Sequence, residues 1–446
     1  MYVDFLRERF ARHLDQAAMI WQDRTYLYRD MLQYWDEDSR TLKKLITEPM
    51  VVAMEGDFSP HAATILLCLI ELGCIIVPLS NRVAEKRDSF KKIAQVEAMI
   101  RLGEEDTFCF EKTGLHSDHS ILLGLKQKRH PGLVVFSSGS TGESKAVVHD
   151  FLPLLAKFQV ERTCLRMITF LLFDHLGGIN TLFYILSNTG CVVVLSSRQP
   201  DVVCAMIEKY RVEALPTSPT FLNLLLLSGA YETYSLESLK IVTYGTEMMP
   251  ESTLQRFHAL FPHIRLLQTY GLSEIGVVRS KSKASDSLWV KIGGEDFQIR
   301  VVDGQLEIQA KSAMLGYLNA PSPFTADGWL RTGDLVETDG DYIRFLGRAS
   351  EVINVGGQKV YPAQVESVLQ MMPGVEEAVV SGEANVLTGQ IVKARVKLRH
   401  DEPAVMFKKR LKIFCQGKLE NYQIPQKVVV VREALHSERF KKMRKG

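Results

Sequence analysis

The stretch VFSSGSTGESKAVVH, residues 135–149, is the part of the chain from which the rest can be read. Apolar runs at 133–136 and 146–148 predict two buried strands, with the polar segment between them as a loop. Glycines let backbone N–H groups turn inward, hydroxyls add donors and Lys145 adds a point charge, which together suit a polyphosphate. The spacing differs from that of the nucleoside-triphosphate loop, which ends in Gly-Lys-Ser/Thr before a helix. A flexible surface linker is the alternative, because Ser/Gly/Thr clusters are typical of loops.

The composition limits the class of protein. The chain has 446 residues, enough for two or three domains, and its 46% hydrophobic and 24% charged residues are an ordinary globular balance. A net charge of +2 leaves no basic surplus for nucleic acid. Seven scattered cysteines without a Cys-x-x-Cys pair argue against a disulfide framework or a zinc site. Since there is no signal-peptide pattern and no apolar run long enough to span a bilayer, we expect a soluble cytoplasmic protein.

Alternating strands and helices predict the architecture of the larger part of the chain. Residues 51–54 favour a strand, 60–72 an apolar helix and 74–79 another strand, which is the spacing of a parallel βαβ unit. The alternation recurs between residues 191 and 244. We therefore expect a large N-terminal α/β domain with buried parallel sheets.

The pattern changes after about residue 289. Short alternating strands with turns at Asp303-Gly304 and Asp339-Gly340 predict a small antiparallel subdomain. A helix at 362–371, strands at 375–381 and 391–398 and a helix at 405–416 then predict a small α+β domain. The fold class is thus α/β, with a core at 1–347, a hinge at 348–350 that contains Ser350, and a small mobile C-terminal domain at 351–446.

Motifs spread along the chain resemble, in order, those of the adenylate-forming, AMP-dependent synthetases and ligases. SSGSTGESKAV at 137–147 resembles their phosphate-binding loop, and YGLSE at 270–274 their aromatic-Gly-x-Thr-Glu motif with Ser for Thr. GWLRTGD at 328–334 matches GWxxTGD, and residues 347–366 resemble the stretch that opens the mobile C-terminal domain. Among acyl- and aryl-CoA synthetases, peptide-synthetase domains and luciferases, the chain looks most like the first group. The resemblance implies that a carboxylic acid attacks the α-phosphate of ATP to give an acyl-AMP.

The resemblance assigns roles in nucleotide binding. Glu274 would hold Mg²⁺, Ser273 would donate to the α-phosphate and Tyr270 would lie beside adenine. Asp334 would accept from the ribose hydroxyls and Arg348 would reach the ribose or a phosphate. Without the family context, Asp334 is typical of a turn and Tyr270 of a core. The implied ATP-binding residues are Ser137, Ser138, Gly139, Ser140, Thr141, Gly142, Lys145, Gly245, Thr246, Glu247, Tyr270, Gly271, Asp334 and Arg348.

The acid is assigned to the segment FDHLGGIN at 173–180, which resembles the FHxxGG segment of CoA ligases with Asp174 inserted. The matching histidine, His175, would flank the carboxylate, although a structural histidine at a helix start is the alternative. Asp174 could instead bind the ammonium of an amino acid, but the His-Leu-Gly-Gly match favours an aromatic or medium aliphatic acid. The implied acid pocket contains Phe173, His175, Gly178, Thr217, Pro219, Tyr244 and Gln268.

The basic tail, LHSERFKKMR at 435–444, resembles the last motif of the family without its Gly-Lys glycine. The family's lysine bridges the acid and the α-phosphate during adenylation. Counting from Pro425 assigns this role to Lys441, and aligning on Leu435 and Met443 assigns it to Lys442. We favour Lys441 and keep Lys442 as the alternative. A solvated basic tail without a catalytic role is the third interpretation.

The resemblance also implies a second step. The C-terminal domain would rotate, and a thiol would reach the acyl-AMP through a tunnel at Gly356, Gly357 and Lys359. The expected cofactors are ATP, Mg²⁺ and coenzyme A. The implied enzyme is therefore an AMP-forming acid–thiol ligase. The phosphopantetheine of an acyl carrier protein is the alternative acceptor. A catalytically idle nucleotide-binding relative is a less favoured interpretation.

Overall fold

The structure, a computed structural model, describes residues 2–137 and 144–444. The helices are α1 Asp4–Arg12, α2 Tyr28–Leu45, α3 Pro60–Glu71, α4 Arg87–Ile93, α5 Ser120–Lys128, α6 Phe151–Ala156, α7 Leu176–Ser187, α8 Pro200–Tyr210, α9 Pro219–Ser228, α10 Glu251–Leu260, α11 Pro362–Gln370 and α12 Ala404–Cys415. The strands are β1 Ala17–Trp21, β2 Arg24–Leu27, β3 Val51–Glu55, β4 Ile75–Leu79, β5 Ala98–Leu102, β6 Phe108–Lys112, β7 Gly132–Ser137, β8 Lys145–Asp150, β9 Arg166–Ile168, β10 Cys191–Val193, β11 Ala214–Thr217, β12 Ile241–Tyr244, β13 Arg265–Gln268, β14 Tyr270–Leu272, β15 Gly276–Val278, β16 Ser280–Ser282, β17 Val290–Ile292, β18 Phe297–Val302, β19 Gln305–Ala310, β20 Gly316–Tyr317, β21 Leu330–Asp339, β22 Tyr342–Arg348, β23 Ile353–Val355, β24 Gln358–Val360, β25 Val375–Asn385, β26 Gly389–Leu398 and β27 Lys427–Val431. Within the two described ranges, no helix is both long enough and apolar enough to cross a membrane.

Two seven-stranded sheets form most of the larger domain. One has the order β13-β12-β11-β9-β10-β1-β2 and is parallel except for the β1–β2 hairpin. The other has the order β20-β8-β7-β4-β3-β5-β6, in which β7, β4, β3 and β5 run parallel. Side chains of α2, α3 and α7, among them Trp35, Leu66 and Leu182, pack with residues of both sheets in one buried cluster.

The predicted parallel βαβ unit is confirmed over β3, α3 and β4. Helix α3 begins where expected because the Ser59 hydroxyl accepts from the N–H of Ala62 and Pro60 takes the first helical position. Residues 62–70 of the helix are all buried, which explains their continuous apolar sequence.

The predicted antiparallel subdomain is a six-stranded sheet of order β16-β17-β22-β21-β19-β18. Asp303 and Gly304 both have positive φ, 51° and 74°, which suits a two-residue hairpin turn between β18 and β19. Strand β21 pairs with β19 at Leu330 and Arg331 and with β22 from Asp334 to Asp339, with a bulge between Leu335 and Val336.

The last part of the chain has a sheet of its own. Its order is β24-β23-β26-β25, and β27 runs parallel to β26. Side chains of α11 and α12, such as Val365 and Phe407, pack on this sheet in a separate buried cluster. A short turn at Ala349–Glu351 joins it to the larger part, and Ser350 is exposed in that turn. The domain limits and the hinge role of Ser350 stay predictions.

Candidate active site

Strands β7 and β8, on either side of the predicted phosphate-binding loop, form an antiparallel pair. The register of β7 and β8 ends with Ser137 opposite Lys145, so the chain leaves and returns at adjacent points. The Lys145 ammonium lies 5.1 Å from the centre of the Tyr317 ring. The predicted loop residues that lie outside the described ranges are Ser138, Gly139, Ser140, Thr141 and Gly142.

Ser273 and Glu274 lie in a tight connection that three neighbours hold in place. The buried His149 contacts the carbonyl oxygen of Ser273 through Nε2 at 2.6 Å, and the Met314 N–H donates to the carbonyl oxygen of Glu274 at 2.7 Å. The Tyr317 hydroxyl donates to Glu274 Oε1 at 2.6 Å. Burial lowers the pKa of His149, which favours a neutral ring that donates from Nε2. Lys145, Tyr317 and Glu274 therefore form one continuous group beside the loop.

Sequence reasoning missed His149 and Tyr317. His149 directly follows the apolar run 146–148 of β8, and a histidine at the end of such a strand is a signal for a ring with a specific partner; in the structure it is fully buried. Tyr317 ends the segment GQLEIQAKSAMLGY at 304–317, where nothing in the pattern distinguished its hydroxyl from that of a core tyrosine.

Tyr270, Asp334 and Arg348 come together as expected for one subsite. The Tyr270 hydroxyl donates to Asp334 Oδ2 at 2.6 Å, and Arg348 Nε lies 2.8 Å from Asp334 Oδ1. Asp334 and Arg348 face each other in the β21–β22 register, and the Tyr270 ring stacks on Phe345 with 4.7 Å between ring centres. Burial raises the pKa of Asp334, and the nearby Arg348 guanidinium opposes that change.

Gly245, Thr246 and Glu247 follow the C-terminal end of β12. A side chain at Gly245 would place its Cβ 2.6 Å from the Thr269 hydroxyl, so this position requires glycine. Thr246 is exposed and has a φ of 71°, which is uncommon for a β-branched residue and occurs at functional turns. Glu247 Oε1 accepts from the N–H of Thr220 at 2.7 Å, which anchors the segment to α9.

A small cavity lies where the core meets the basic tail. It is lined by Phe170, Leu171, Leu172, His175, Arg198, Thr246, Arg439 and Lys441. His175 is the N-cap of α7, and its Nδ1 accepts from the N–H of Gly177 at 3.0 Å. Burial, together with the charges of Lys441 and Arg439, lowers the pKa of His175 to about 3. The ring is therefore neutral near pH 7 and its Nε2 carries the hydrogen.

Three predicted acid-pocket residues are neighbours across adjacent strands. Thr217, Tyr244 and Gln268 are paired in the parallel register of β11, β12 and β13, at the C-terminal end of each strand. Side chains of paired residues share one face of a sheet. Each of the three has a buried polar atom without a partner, namely Thr217 Oγ1, Tyr244 Oη and Gln268 Oε1. Such unpaired groups are costly in a folded protein, and ligands commonly bind at the carboxyl ends of parallel strands.

Of the seven predicted acid-pocket residues, only His175 lines this cavity. Phe173 is fully buried and packs edge-on against Phe58, with 5.3 Å between ring centres. A Cβ at Gly178 would lie 2.0 Å from the carbonyl oxygen of Leu172, so this glycine lets α7 approach the cavity wall. Pro219 occupies the first position of α9. Phe170 lines the cavity three residues before Phe173, and sequence reasoning did not select it.

The two adjacent lysines of the tail have different surroundings. Lys442 Nζ lies 2.8 Å from Oε2 of the fully buried Glu366, which Arg444 also contacts at 3.0 Å. Lys441 lines the cavity beside His175, and its ammonium makes no ion pair or hydrogen bond with any residue in the described ranges. Desolvation lowers the pKa of Lys441 to about 8, and Arg439 adds to the effect.

The predicted thiol-tunnel residues lie apart from this cavity. Gly356, Gly357 and Lys359 are exposed in and beside the turn of the β23–β24 hairpin. Gly357 donates its N–H to the Asn354 side chain at 3.0 Å, and none of the three lines the cavity described above. In this structure, the tail and not the hairpin faces His175.

Known proteins resemble this chain along nearly its whole length. The model of the AMP-binding enzyme family matches residues 6–328, and that of the AMP-binding enzyme C-terminal domain matches residues 364–442. A 2-succinylbenzoate–CoA ligase of Enterococcus faecalis is 25% identical, over 95% of this chain and 93% of that ligase. An indoleacetate–CoA ligase of Aromatoleum aromaticum is 26% identical over 68% of this chain, and the match spans 64% of its own length, less than two thirds.

Solved structures share the fold at lower identity. The anthranilate CoA ligase AuaEII in complex with anthranoyl-AMP has a TM-score of 0.81 at 18% identity, covering 99% of this chain and 95% of that chain. The o-succinylbenzoate CoA synthetase of Bacillus subtilis has a TM-score of 0.74 at 20% identity, covering 99% and 96%. The large α/β part and the small C-terminal part therefore have the arrangement of adenylate-forming enzymes. From the two family matches and the fold, the chain belongs to the family of AMP-binding enzymes.

Proposed function

We propose that this protein activates a carboxylic acid with ATP and transfers the acyl group to the thiol of coenzyme A. In the first step a carboxylate oxygen attacks the α-phosphorus and pyrophosphate leaves. In the second step the thiol attacks the acyl carbon and AMP leaves. The observation that supports this best is the cavity in which His175 of the core and Lys441 of the tail meet.

Lys441 is the residue we assign to the first step. Two anions, the acid and the triphosphate, must approach each other, so a fixed cation between them stabilises the transition state. The Lys441 ammonium lines the cavity without a partner in the described ranges, whereas the Lys442 ammonium is paired with the buried Glu366. Since the neutral His175 can donate from Nε2, it would hold the carboxylate without adding a second full charge.

The nucleotide would bind with its phosphates beside Lys145 and Glu274 and its ribose beside Asp334. Lys145 begins β8 at the end of the loop, so it would contact the terminal phosphates. The Asp334 carboxylate would accept from the vicinal hydroxyls of the ribose, with Tyr270 and Arg348 holding it in place. Ser273 would donate to the α-phosphate.

The residues present fit Mg²⁺ bound jointly with phosphate oxygens. Glu274 offers a carboxylate whose Oε1 is already oriented by Tyr317, and Mg²⁺ is commonly bound by one or two carboxylates plus substrate phosphates. Among residues 2–137 and 144–444, no group of three or more His, Cys, Asp or Glu side chains could hold a metal alone. Magnesium would neutralise charge on the phosphates, and Glu274 would hold it.

The acid is proposed to have an apolar body and a polar group at its far end. Phe170, Leu171 and Leu172 supply apolar surface in the cavity wall. Thr217, Tyr244 and Gln268 supply unpaired polar atoms on one face of the neighbouring strand ends. A hydroxyl or amino group on an aromatic or medium-length acid would satisfy these atoms.

The test is pyrophosphate release from Mg·ATP with a panel of acids and no thiol. The panel contains benzoic, phenylacetic and medium-chain acids, each with and without a hydroxyl or amino group, together with amino acids and long-chain acids. We expect release with one class, and more with its substituted members. An active acid is then tested with coenzyme A and, separately, with a phosphopantetheine-bearing carrier protein.

Each outcome has a distinct meaning. Thioester formation with coenzyme A supports the proposal, and it agrees with the CoA ligases among the relatives. Thioester formation with the carrier protein alone would replace coenzyme A as the acceptor. ATP binding without pyrophosphate release from any acid would contradict the proposal and favour an idle nucleotide-binding protein.

A further inference from the structure

An ion pair joins the basic tail to the segment that begins α7. Arg439 Nη2 lies 2.9 Å from Oδ2 of Asp174, 265 residues earlier in the chain. Asp174 is 5% exposed, and its Oδ2 also accepts from the buried Ser80 hydroxyl at 2.8 Å. Asp174 directly precedes His175, and Arg439 stands two residues before Lys441. The pair therefore links the two segments that carry His175 and Lys441.

Phe440, which lies between Arg439 and Lys441, has its own contacts with the core. The Phe440 ring packs against Phe170 and Phe221, with ring centres 5.4 and 5.6 Å apart. The Ser218 hydroxyl donates to the Phe440 carbonyl oxygen at 2.9 Å. Arg439 and Phe440 thus fix the tail on the core immediately before Lys441.

The tail is a turn, so this attachment carries over to Lys441. The Ser437 N–H donates to the carbonyl oxygen of Lys441 at 2.8 Å, and the Phe440 N–H donates to that of Ser437 at 2.9 Å. The Lys442 N–H then donates to Glu247 of the core at 3.2 Å. A side chain held at position 439 consequently limits where the ammonium at position 441 can lie.

The pair also depends on the position of the tail. Asp174 Oδ1 is buried without a hydrogen-bond partner, and Ser80 provides a neutral donor, so Arg439 is the cation that compensates the carboxylate in the described structure. A buried carboxylate that loses its cation is strongly disfavoured. Any movement that withdraws the tail breaks the pair and leaves Asp174 without that cation.

We infer that Arg439 is a positioning residue for acyl-adenylate formation: its ion pair with Asp174 holds Lys441 in the acid cavity and breaks when the tail leaves that cavity. This inference rests on the proposed function. It also gives Asp174 a role other than binding an amino-acid ammonium, because the tail already supplies the cation.

The test uses the full chain and the variants Arg439→Gln, Asp174→Asn, the double variant and Arg439→Lys. The matched control is Arg432→Gln, which removes an exposed ion pair with Asp401 just before the tail. The double variant leaves neither charge unpaired, so it separates loss of the pair from the burial of a lone charge.

The first readout needs no acid. Backbone hydrogen exchange in residues 436–444 of the substrate-free protein is expected to rise about tenfold or more in Arg439→Gln and Asp174→Asn, since breaking a buried pair is strongly unfavourable. The double variant should not exceed the larger single effect, and the control should match the unaltered protein. Unchanged exchange in both single variants would overturn the inference, whatever the outcome with acids.

The second readout separates the half-reactions. Single-turnover pyrophosphate formation should fall about 10–100-fold in Arg439→Gln, with partial recovery in Arg439→Lys, because the guanidinium pair is lost and then replaced by a single ammonium. Thioester formation from supplied acyl-adenylate should be unchanged or faster. An equal loss in both half-reactions, or multiplicative effects in the double variant, would assign Arg439 a general structural role instead. If the unaltered protein activates no acid, the proposed function fails, and the exchange data alone decide the tail contact.

Discussion

Replacing the two adjacent tail lysines by methionine separately should change activity and stability in opposite ways. Lys441 lines the cavity without a partner in the described ranges, and desolvation lowers its pKa from 10.5 to about 8. That change corresponds to about 3 kcal/mol of unfavourable free energy for the charged form. Some of this is screened, because the side chain is half-buried. Lys441→Met should therefore raise the free energy of unfolding by up to about 3 kcal/mol at pH 7.

The stability gain should depend on pH in a defined direction. The folded-state pKa of Lys441, about 8, lies below its ordinary value of 10.5, so the charged lysine destabilises the folded protein below pH 8. The penalty declines as pH rises from about 8 and vanishes above about 10.5. The difference between Lys441→Met and the unaltered protein should shrink over the same interval.

Lys442→Met should instead lose stability. Glu366 is fully buried, and it would keep Arg444 and the Val380 N–H but lose the ammonium at 2.8 Å. Complete loss of a buried partner costs about 3–5 kcal/mol, so with one cation retained we expect about 2 kcal/mol. Lys442→Arg is the matched control, because it keeps a cation opposite Glu366.

Two assays decide between the lysines. Pyrophosphate release without thiol should fall about 10²–10³-fold in Lys441→Met and remain near normal in Lys442→Arg. Unfolding should be followed by circular dichroism, since all four tryptophans, at positions 21, 35, 289 and 329, precede the small domain. Loss of adenylation in Lys442→Arg with normal activity in Lys441→Met would refute the reasoning and assign the reaction to Lys442.

Three further predictions concern other parts of the site. The kcat/KM of adenylation should fall as pH rises through about 8, because Lys441, with a pKa of about 8, becomes neutral in the free protein. His175, with a pKa of about 3, should produce no decline between pH 5 and 7. Pyrophosphate release measured from pH 5 to 10 tests both expectations. Tyr317→Phe removes the hydroxyl 2.6 Å from Glu274 and should raise the half-saturating Mg²⁺ concentration about tenfold, and an unchanged Mg²⁺ titration would exclude this role. Tyr244→Phe removes a buried hydroxyl without a partner, so the unfolding midpoint should stay unchanged or rise. The preference for a substituted over an unsubstituted acid should fall about tenfold. A preserved preference in the acid panel would contradict the proposed contact.

Local patterns predicted the fold well where parallel strands are buried on both faces, as in β3 and β4. The apolar runs of β3, α3 and β4 required no knowledge of distant contacts, and each was identified within a few residues. Strands β9 and β13 were missed, since each has three or four residues and depends on pairing within the large sheet. Such short elements carry too little periodicity of their own.

The site was predictable where a side chain belongs to a motif, and less so where three-dimensional contacts decide. Tyr270, Asp334 and Arg348 were chosen from separate motifs and lie in contact. In two segments the sequence offered two similar residues, and only one of them lines the cavity. Phe170 lines it and Phe173 does not, and Lys441 lines it and Lys442 does not. That choice depends on the bend of a loop and on buried partners such as Glu366, which lies 76 residues from Lys442.

The β7–β8 pair has a consequence for the proposed binding of ATP. In many phosphate sites a helix starts directly after the loop, and its N-terminus contributes roughly half a positive charge from aligned peptide dipoles. Here the chain continues from Lys145 as a strand, and strand dipoles nearly cancel. Discrete cations must therefore supply the compensation. Affinity for the triphosphate should accordingly weaken steeply with ionic strength and with the loss of one lysine charge, more than in a protein whose backbone provides a fixed field.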